Sequence, residues 1–292
     1  MPSIAALALP ALLSGQVEPH AGMLRYPDVS NDSIVFVYAN DLWVVDRDGG
    51  MARPLASPAG SEGNPTFSPD GTAIAFEGNY AGNSDIHTLP ITGGIPFRVT
   101  HHPTGESLSD WTADGRLVFS AGGLAGTNRE PGLFTVPTTG GMPTQLPVPY
   151  GYRGTISSDG KWLAYTPHNS DNRNWKRYRG GWASDIWLMN LETLESVRVT
   201  DWEGTDTQPM WHGDTLYYVS DAGDEHRLNI WAYEVKSGSK RQVTRFRDYD
   251  IKFASIGPDD GTAAEIVFQY GKDLMLLDFD NRPRRRRIRG QV

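Results

Sequence analysis

Pro65-Thr66-Phe67-Ser68-Pro69-Asp70-Gly71, then Ile74-Ala75-Phe76, then Asp85-Ile86-His87-Thr88-Leu89, a Gly93-Gly94 pair and Phe97-Arg98-Val99-Thr100 follow one another with only polar loop between them. Four short runs of apolar and β-branched residues, separated by turn chemistry, read as four strands. Proline presets φ and Asp-Gly supplies the left-handed positions of a tight reversal, so Ser68-Pro69-Asp70-Gly71 joins the first strand to the second as a hairpin.

The same order recurs along the chain. The third-strand phrase returns as Asp41-Leu42-Trp43, Asp85-Ile86-His87, Gly132-Leu133-Phe134, Asp185-Ile186-Trp187, Asn229-Ile230-Trp231 and Asp273-Leu274-Met275, its aliphatic members 44, 47, 53, 44 and 44 residues apart. The second strand returns as Ile34-Val35-Phe36, Ile74-Ala75-Phe76, Leu117-Val118-Phe119, Leu163-Ala164-Tyr165, Leu216-Tyr217-Tyr218 and Ile266-Val267-Phe268. The fourth closes on Leu55, Val99, Leu146, Val199, Val243 or Ile288. A period in the forties with strand patterning inside each unit predicts an all-β, six-bladed β-propeller of four-stranded antiparallel blades. The blades fall at roughly 22–57, 62–102, 105–148, 150–202, 204–246 and 248–289. Blade 1 takes its first strand from Leu24 to Val29 and blade 6 supplies its own four, so the ring is expected to close by side-chain packing and not by a shared strand.

Residues 1–21 stand outside the repeat. Ile4 to Leu13 is apolar and is followed by Ser14-Gly15-Gln16, the length and finish of a signal-peptide core, although only the amino group of Met1 provides the usual positive charge. A signal peptide or a disordered segment is expected there, and with it an exported, periplasmic or extracellular protein, the alternative being cytoplasmic. No run reaches the ~20 apolar residues of a membrane span. There are 27 basic and 35 acidic residues, and six of the basic ones are the arginines at 282, 284–287 and 289. The rest of the ring is strongly acidic, which argues against nucleic acid as a partner. With no cysteine in the chain, disulfides and thiolate chemistry are excluded.

Few residues invite chemistry. His101-His102 is the only adjacent histidine pair and lacks a third ligand nearby, so solvated loop histidines are expected. Ala59-Gly60-Ser61-Glu62-Gly63 lacks the first glycine of a nucleophile elbow and precedes a strand. Asp221, Asp224 and Glu225 could offer oxygen ligands to calcium, which requires such ligands at alternating positions, but read more simply as a solvated acidic turn. Trp43, Trp187 and Trp231 share one repeat position, so packing explains them. The arginine run fits the fourth strand of blade 6. No cofactor, metal or catalytic residue is therefore expected. The departure from regularity is the insertion 167–184, which accounts for the spacing of 53. Within it Trp175, Lys176, Arg177, Tyr178, Arg179 and Trp182 mix cations with aromatic rings, and a loop of this length in a compact repeat is functional or disordered. Such side chains grip carboxylates or pack into interfaces, which makes this loop the expected interaction element.

The chain resembles the N-terminal six-bladed propeller of tricorn-type (tail-specific) serine proteases. The resemblance is carried by Pro27-Asp28-Val29 leading into Asp41-Leu42-Trp43-Val44-Val45-Asp46, by Trp175-Lys176-Arg177-Tyr178-Arg179-Gly180-Gly181 before Asp185-Ile186-Trp187, and by blade 5 from Ser220-Asp221 to Asn229-Ile230-Trp231. It is similar more distantly to TolB-like propellers, which share the blade turns. The resemblance implies a non-catalytic ring that gates or binds peptide or protein substrate, joined to further domains or subunits of a protease, whose catalytic residues lie in a half with no counterpart in this chain. The basic pair that archaeal members offer to a substrate carboxylate is not matched by His101-His102-Pro103-Thr104-Gly105-Glu106-Ser107. A stand-alone exported TolB-like propeller that binds protein partners is the competing expectation.

Overall fold

A computed structural model of the chain describes residues 24–56, 58–127, 130–172, 178–259, 265–279, 284–288 and 290–291. The expected signal segment and Trp175, Lys176 and Arg177 lie outside the described residues. Six four-stranded sheets follow one another in chain order, each antiparallel, with no helix among the described residues. The innermost strands are Arg25–Val29, Ser61–Phe67, Glu106–Trp111, Tyr152–Ile156, Asp206–His212 and Ile251–Ile256. The six-bladed propeller read from the repeat is the fold.

The hydrophobic clusters explain why the repeat is spelled as it is. Each lies between two blades. Val35, Val37 and Leu42 of blade 1 meet Phe67, Ile74 and Phe76 of blade 2 in one cluster, and Ala75, Ile86 and Val99 of blade 2 meet Leu108, Leu117 and Phe119 of blade 3 in another. A second strand therefore needs apolar residues on both faces. Phe36, Phe76, Phe119 and Phe268 occupy one repeat position and are fully buried. Each contributes about 2–3 kcal/mol by leaving water.

The third-strand phrase carries a polar seal. The N–H of Ile86, Ile186 and Ile230 donates to the hydroxyl of Thr100, Thr200 and Thr244 respectively, at 2.9 Å each time. Asp85 and Asp185 pair with Arg98 and Arg198 on the adjoining outer strand, both at 2.8 Å. The aspartate of the phrase thus fastens strand three to strand four. Trp43, Trp187 and Trp231 are partly buried against core clusters, as packing residues.

Blades 1 and 6 hold four strands each and meet through side chains. Leu24, Val29, Ile34 and Phe36 pack with Val267, Leu274 and Leu276. One feature of closure goes beyond the expectation: Gly290–Gln291 pairs in parallel with Gly50–Met51, a two-residue bridge from the end of blade 6 to blade 1 outside either blade's own sheet. The arginine stretch Arg284–Ile288 is the fourth strand of blade 6, with Ile288 opposite Leu274.

Candidate functional site

Every innermost strand is interrupted at the same place. Its register against the second strand slips between Arg25 and Asp28, Gly63 and Thr66, Leu108 and Asp110, Tyr152 and Thr155, Thr207 and Met210, and Lys252 and Ser255. A bulge adds a residue without a ladder partner, which is why Pro27, Pro65 and Pro209 are tolerated inside these strands. In five of the six bulges a residue with a side chain adopts left-handed backbone: Tyr26, Asn64, Arg153, Gln208 and Phe253, with φ of 43–52°. Such conformations cost about 1–3 kcal/mol each and persist only where surrounding contacts impose them.

These residues face the ring axis and line a cavity of about 380 Å3. Its mouth is formed by the hairpin turns after the innermost strands, including Ser68-Pro69-Asp70-Gly71, Asn31-Asp32 and Pro258-Asp259. At the level of the bulges the axis is crowded. Tyr26 packs on Phe253, the rings tilted with their centroids 4.2 Å apart. Arg153 donates from Nε to Asp171 Oδ2 at 2.5 Å, and Asp171 Oδ1 accepts from Thr207 Oγ1 at 2.8 Å and Gln208 Nε2 at 3.1 Å. Tyr26 donates to Asn172 Oδ1 at 3.3 Å.

Behind these side chains a belt of hydrogen bonds joins each blade to the next. The N–H of Phe67 donates to Asp28 Oδ2 at 2.6 Å, bridging blades 1 and 2. Glu77 of blade 2 accepts from Ser107 Oγ at 3.0 Å and Leu108 N–H at 2.9 Å. Asp110 of blade 3 accepts from the Thr155 hydroxyl of blade 4. Asp171 joins blade 4 to blade 5. Gln208 Oε1 accepts from the N–H of Ala254 at 2.8 Å, and Ser255 Oγ donates to Asp28 Oδ1 at 2.5 Å, which returns the belt to blade 1. Two buried or half-buried indoles add rungs, Trp111 to the Thr66 carbonyl at 3.1 Å and Trp211 to the Thr155 carbonyl at 3.2 Å.

The acids of this belt are perturbed by their burial. Loss of water pushes Asp28 up to about 7 and Asp110 up to about 6, only partly opposed by the bonds each accepts. Glu77 is raised for the same reason, with Asn64 and Arg153 pulling the other way. At the starts of three innermost strands, desolvation raises Glu62, Glu106 and Asp206 to about 7. Burial works against the charge on Arg153, but Asp171 and Glu77 outweigh it and the guanidinium is held charged.

The insertion divides in two. Asn169 to Asn172 dips to the axis, while Tyr178, Arg179 and Trp182 stand at its outer edge. Arg179 is 63% exposed, pairs with Glu203 at 3.3 Å and lies 6.0 Å above the Trp202 ring. Trp182 is 42% exposed and packs on His168, which stacks on Tyr150. Sequence reasoning missed Asp171 and Arg153. Arg153 carried a signal, a charged residue in an innermost strand, whereas Asp171 sat unmarked among other polar loop residues. The acidic turn of blade 5 is solvated only in part: Asp224 is exposed as expected, but Asp221 is buried and accepts from Trp202 Nε1 at 2.7 Å and Thr205 N–H at 2.9 Å, and Glu225 accepts from Gln242 at 2.8 Å. Among the described residues no three His, Asp or Glu side chains gather as a metal site. His102 is half-buried, its Nδ1 2.7 Å from Thr104 Oγ1, so only His101 is the solvated loop histidine expected.

The architecture and the axial cavity define the class: a six-bladed β-propeller with a recess on its axis. Within that class the chain belongs to the tricorn protease N-terminal beta propeller domain family, whose model matches residues 21–283. It is 33% identical over 212 residues to tricorn protease homolog 1 of Streptomyces coelicolor, covering 71% of this chain and 20% of that protein. It is 25% identical to the tricorn protease of Thermoplasma acidophilum over 245 residues, covering 78% of this chain and 22% of the other. The fold matches the crystal structure of the tricorn protease with a TM-score of 0.77 at 22% identity, over 92% of this chain and 26% of that one. It also matches TolB from Acinetobacter baumannii with a TM-score of 0.61 at 18% identity, over 80% of this chain and 57% of that one. The chain spans about a fifth to a quarter of the length of the curated relatives it matches.

Proposed function

We propose that this ring is the non-catalytic, substrate-gating or substrate-binding propeller of a tricorn-like serine peptidase, and that it presents peptide to, or receives it from, catalytic domains or subunits outside this chain. The family match over residues 21–283 carries the reading. The axial recess supports it, since about 380 Å3 falls within the range of ligand pockets, roughly 300–1,000 Å3. The outer edge of the insertion is the contact surface for a partner or peptide: Tyr178, Arg179 and Trp182 offer an exposed cation beside aromatic rings, and Trp175, Lys176 and Arg177 belong to the same loop. Export is part of the proposal, on the apolar segment Ile4 to Leu13.

The test is the mass of the native polypeptide in its source cells, detected with an antibody against the ring. A species several-fold larger than 32.2 kDa supports the gating domain of a longer protease. A species near that mass, shortened at its N-terminus, supports the second reading, an exported TolB-like module that binds protein partners. That reading draws on the structural self-sufficiency of the ring, in which each blade holds four strands of its own.

A further inference from the structure

The insertion of blade 4 does something that the connection between strands two and three does in no other blade for which a bond is described. It reaches the axis and touches the opposite side of the ring. Blades 1 and 4 face each other in a six-fold ring, yet Asn172 accepts the Tyr26 hydroxyl across 146 residues of sequence. Asp171 beside it has a fully buried side chain and three donors from two blades, Arg153 of blade 4 and Thr207 and Gln208 of blade 5. The segment is braced from behind, where the Ser170 and Ser184 hydroxyls lie 3.0 Å apart and Asn169 Oδ1 accepts the Asp171 N–H at 3.0 Å. The corresponding connection of blade 1 is the two-residue turn Ala39-Asn40 and that of blade 6 is Gly271-Lys272.

We infer that Asn169 to Asn172 forms a strap across one face of the axial channel, with the Asp171–Arg153 pair as its latch. The recess is then a cup, open at the hairpin-turn mouth and shut at the bulges. The five left-handed bulge residues are the seat of the strap. Arg153 and Gln208 hold Asp171 directly, and Tyr26 holds Asn172. Asn64 holds Glu77, the second carboxylate facing Arg153, at 2.7 Å, and Phe253 backs Tyr26. Strained backbone maintained at one level in five blades has a use if those side chains must converge there. Axial passage of a peptide then requires the latch to open, an inference that rests on the proposed peptide-handling role.

Two measurements on the full chain test it. The first is hydrogen exchange across the strap in the wild type, in Asp171→Asn and in Tyr26→Phe, the last of which keeps the ring contact with Phe253 and removes only the bond to Asn172. Losing charge-assisted bonds from Asp171 raises local exchange about 10- to 100-fold, with the second strands of blades 2 and 3 unchanged. Tyr26→Phe gives a smaller rise at the same place, and serves if Asp171→Asn does not fold. The second is threading. A glycine-serine peptide bearing one bulky stopper is mixed with the ring, closed with a second stopper, and passed through native gel filtration. The wild type retains none and the unlatched variant retains the peptide. Retention by the wild type, or a freed strap that still admits no thread, overturns the strap. A ring that threads when unlatched but binds no peptide at its cup defeats the peptide-handling reading and leaves the strap standing.

Discussion

Replacing Asp28 with asparagine isolates one proton in the stability of the ring. Burial raises the Asp28 carboxyl from its ordinary 3.8 to about 7, so the folded chain binds a proton that the unfolded chain has released over that interval. A raised carboxyl contributes stability that is fully present below pH 4 and is lost as pH rises through about 7. Its slope is about −1.4 kcal/mol per pH unit, and over about three units it amounts to about 4 kcal/mol. Asparagine does not titrate there. Its Oδ1 accepts the Phe67 N–H and its Nδ2 donates to Ser255 Oγ, so both junction bonds survive. The variant should match or fall slightly below the wild type near pH 4.5, where about 1 kcal/mol of the effect is already lost, and exceed it by up to about 3 kcal/mol at pH 8. Urea unfolding at half-unit steps from pH 4.5 to 8.5 gives both curves. The wild type falls more steeply than one proton allows, because Glu62, Glu106 and Asp206 titrate to about 7 and Asp110 to about 6 as well. The difference between the curves should nevertheless have the slope of one proton. Parallel curves would show that Asp28 is ionised throughout and that the argument from burial is wrong.

Thr100→Val removes the hydroxyl that accepts from Ile86 N–H and donates to Glu106, leaving both groups buried without it; chemical denaturation should show a loss of about 2–4 kcal/mol. Arg179→Ala should leave the melting temperature within about 2 °C, since an exposed ion pair contributes under about 1 kcal/mol, while weakening peptide or partner binding measured by calorimetry; a large fall in melting temperature with binding intact would assign the loop to packing. Trp211→Phe keeps the ring but strands the Thr155 carbonyl, and should cost about 1–2 kcal/mol in urea unfolding, most of it at the junction of blades 4 and 5.

The architecture was legible because a propeller is a local code repeated. Ser68-Pro69-Asp70-Gly71 specifies its own hairpin, Ile74-Ala75-Phe76 its own buried strand, and Asp85 with Arg98 its own outer pairing, all within one unit. Six copies of such a unit leave little choice of fold. The insertion was legible as well, as the largest excess in the spacing, and its aromatic and cationic residues drew attention to its outer edge.

What tertiary structure decided is everything that depends on blades meeting at the axis. Ser255 and Asp28 are 227 residues apart and share a hydrogen bond only because the ring closes. Arg153, Asp171, Gln208 and Tyr26 come from three blades, and no spacing relates them. The bulges that turn Tyr26, Asn64, Arg153, Gln208 and Phe253 inward have no common residue type, since the left-handed backbone is imposed by contacts across the axis and not by glycine. Sequence by itself determined the repeated unit, whose contacts are within a blade or with the next one along. The site arises from contacts around and across the ring, and these exist only once six units have closed on one another.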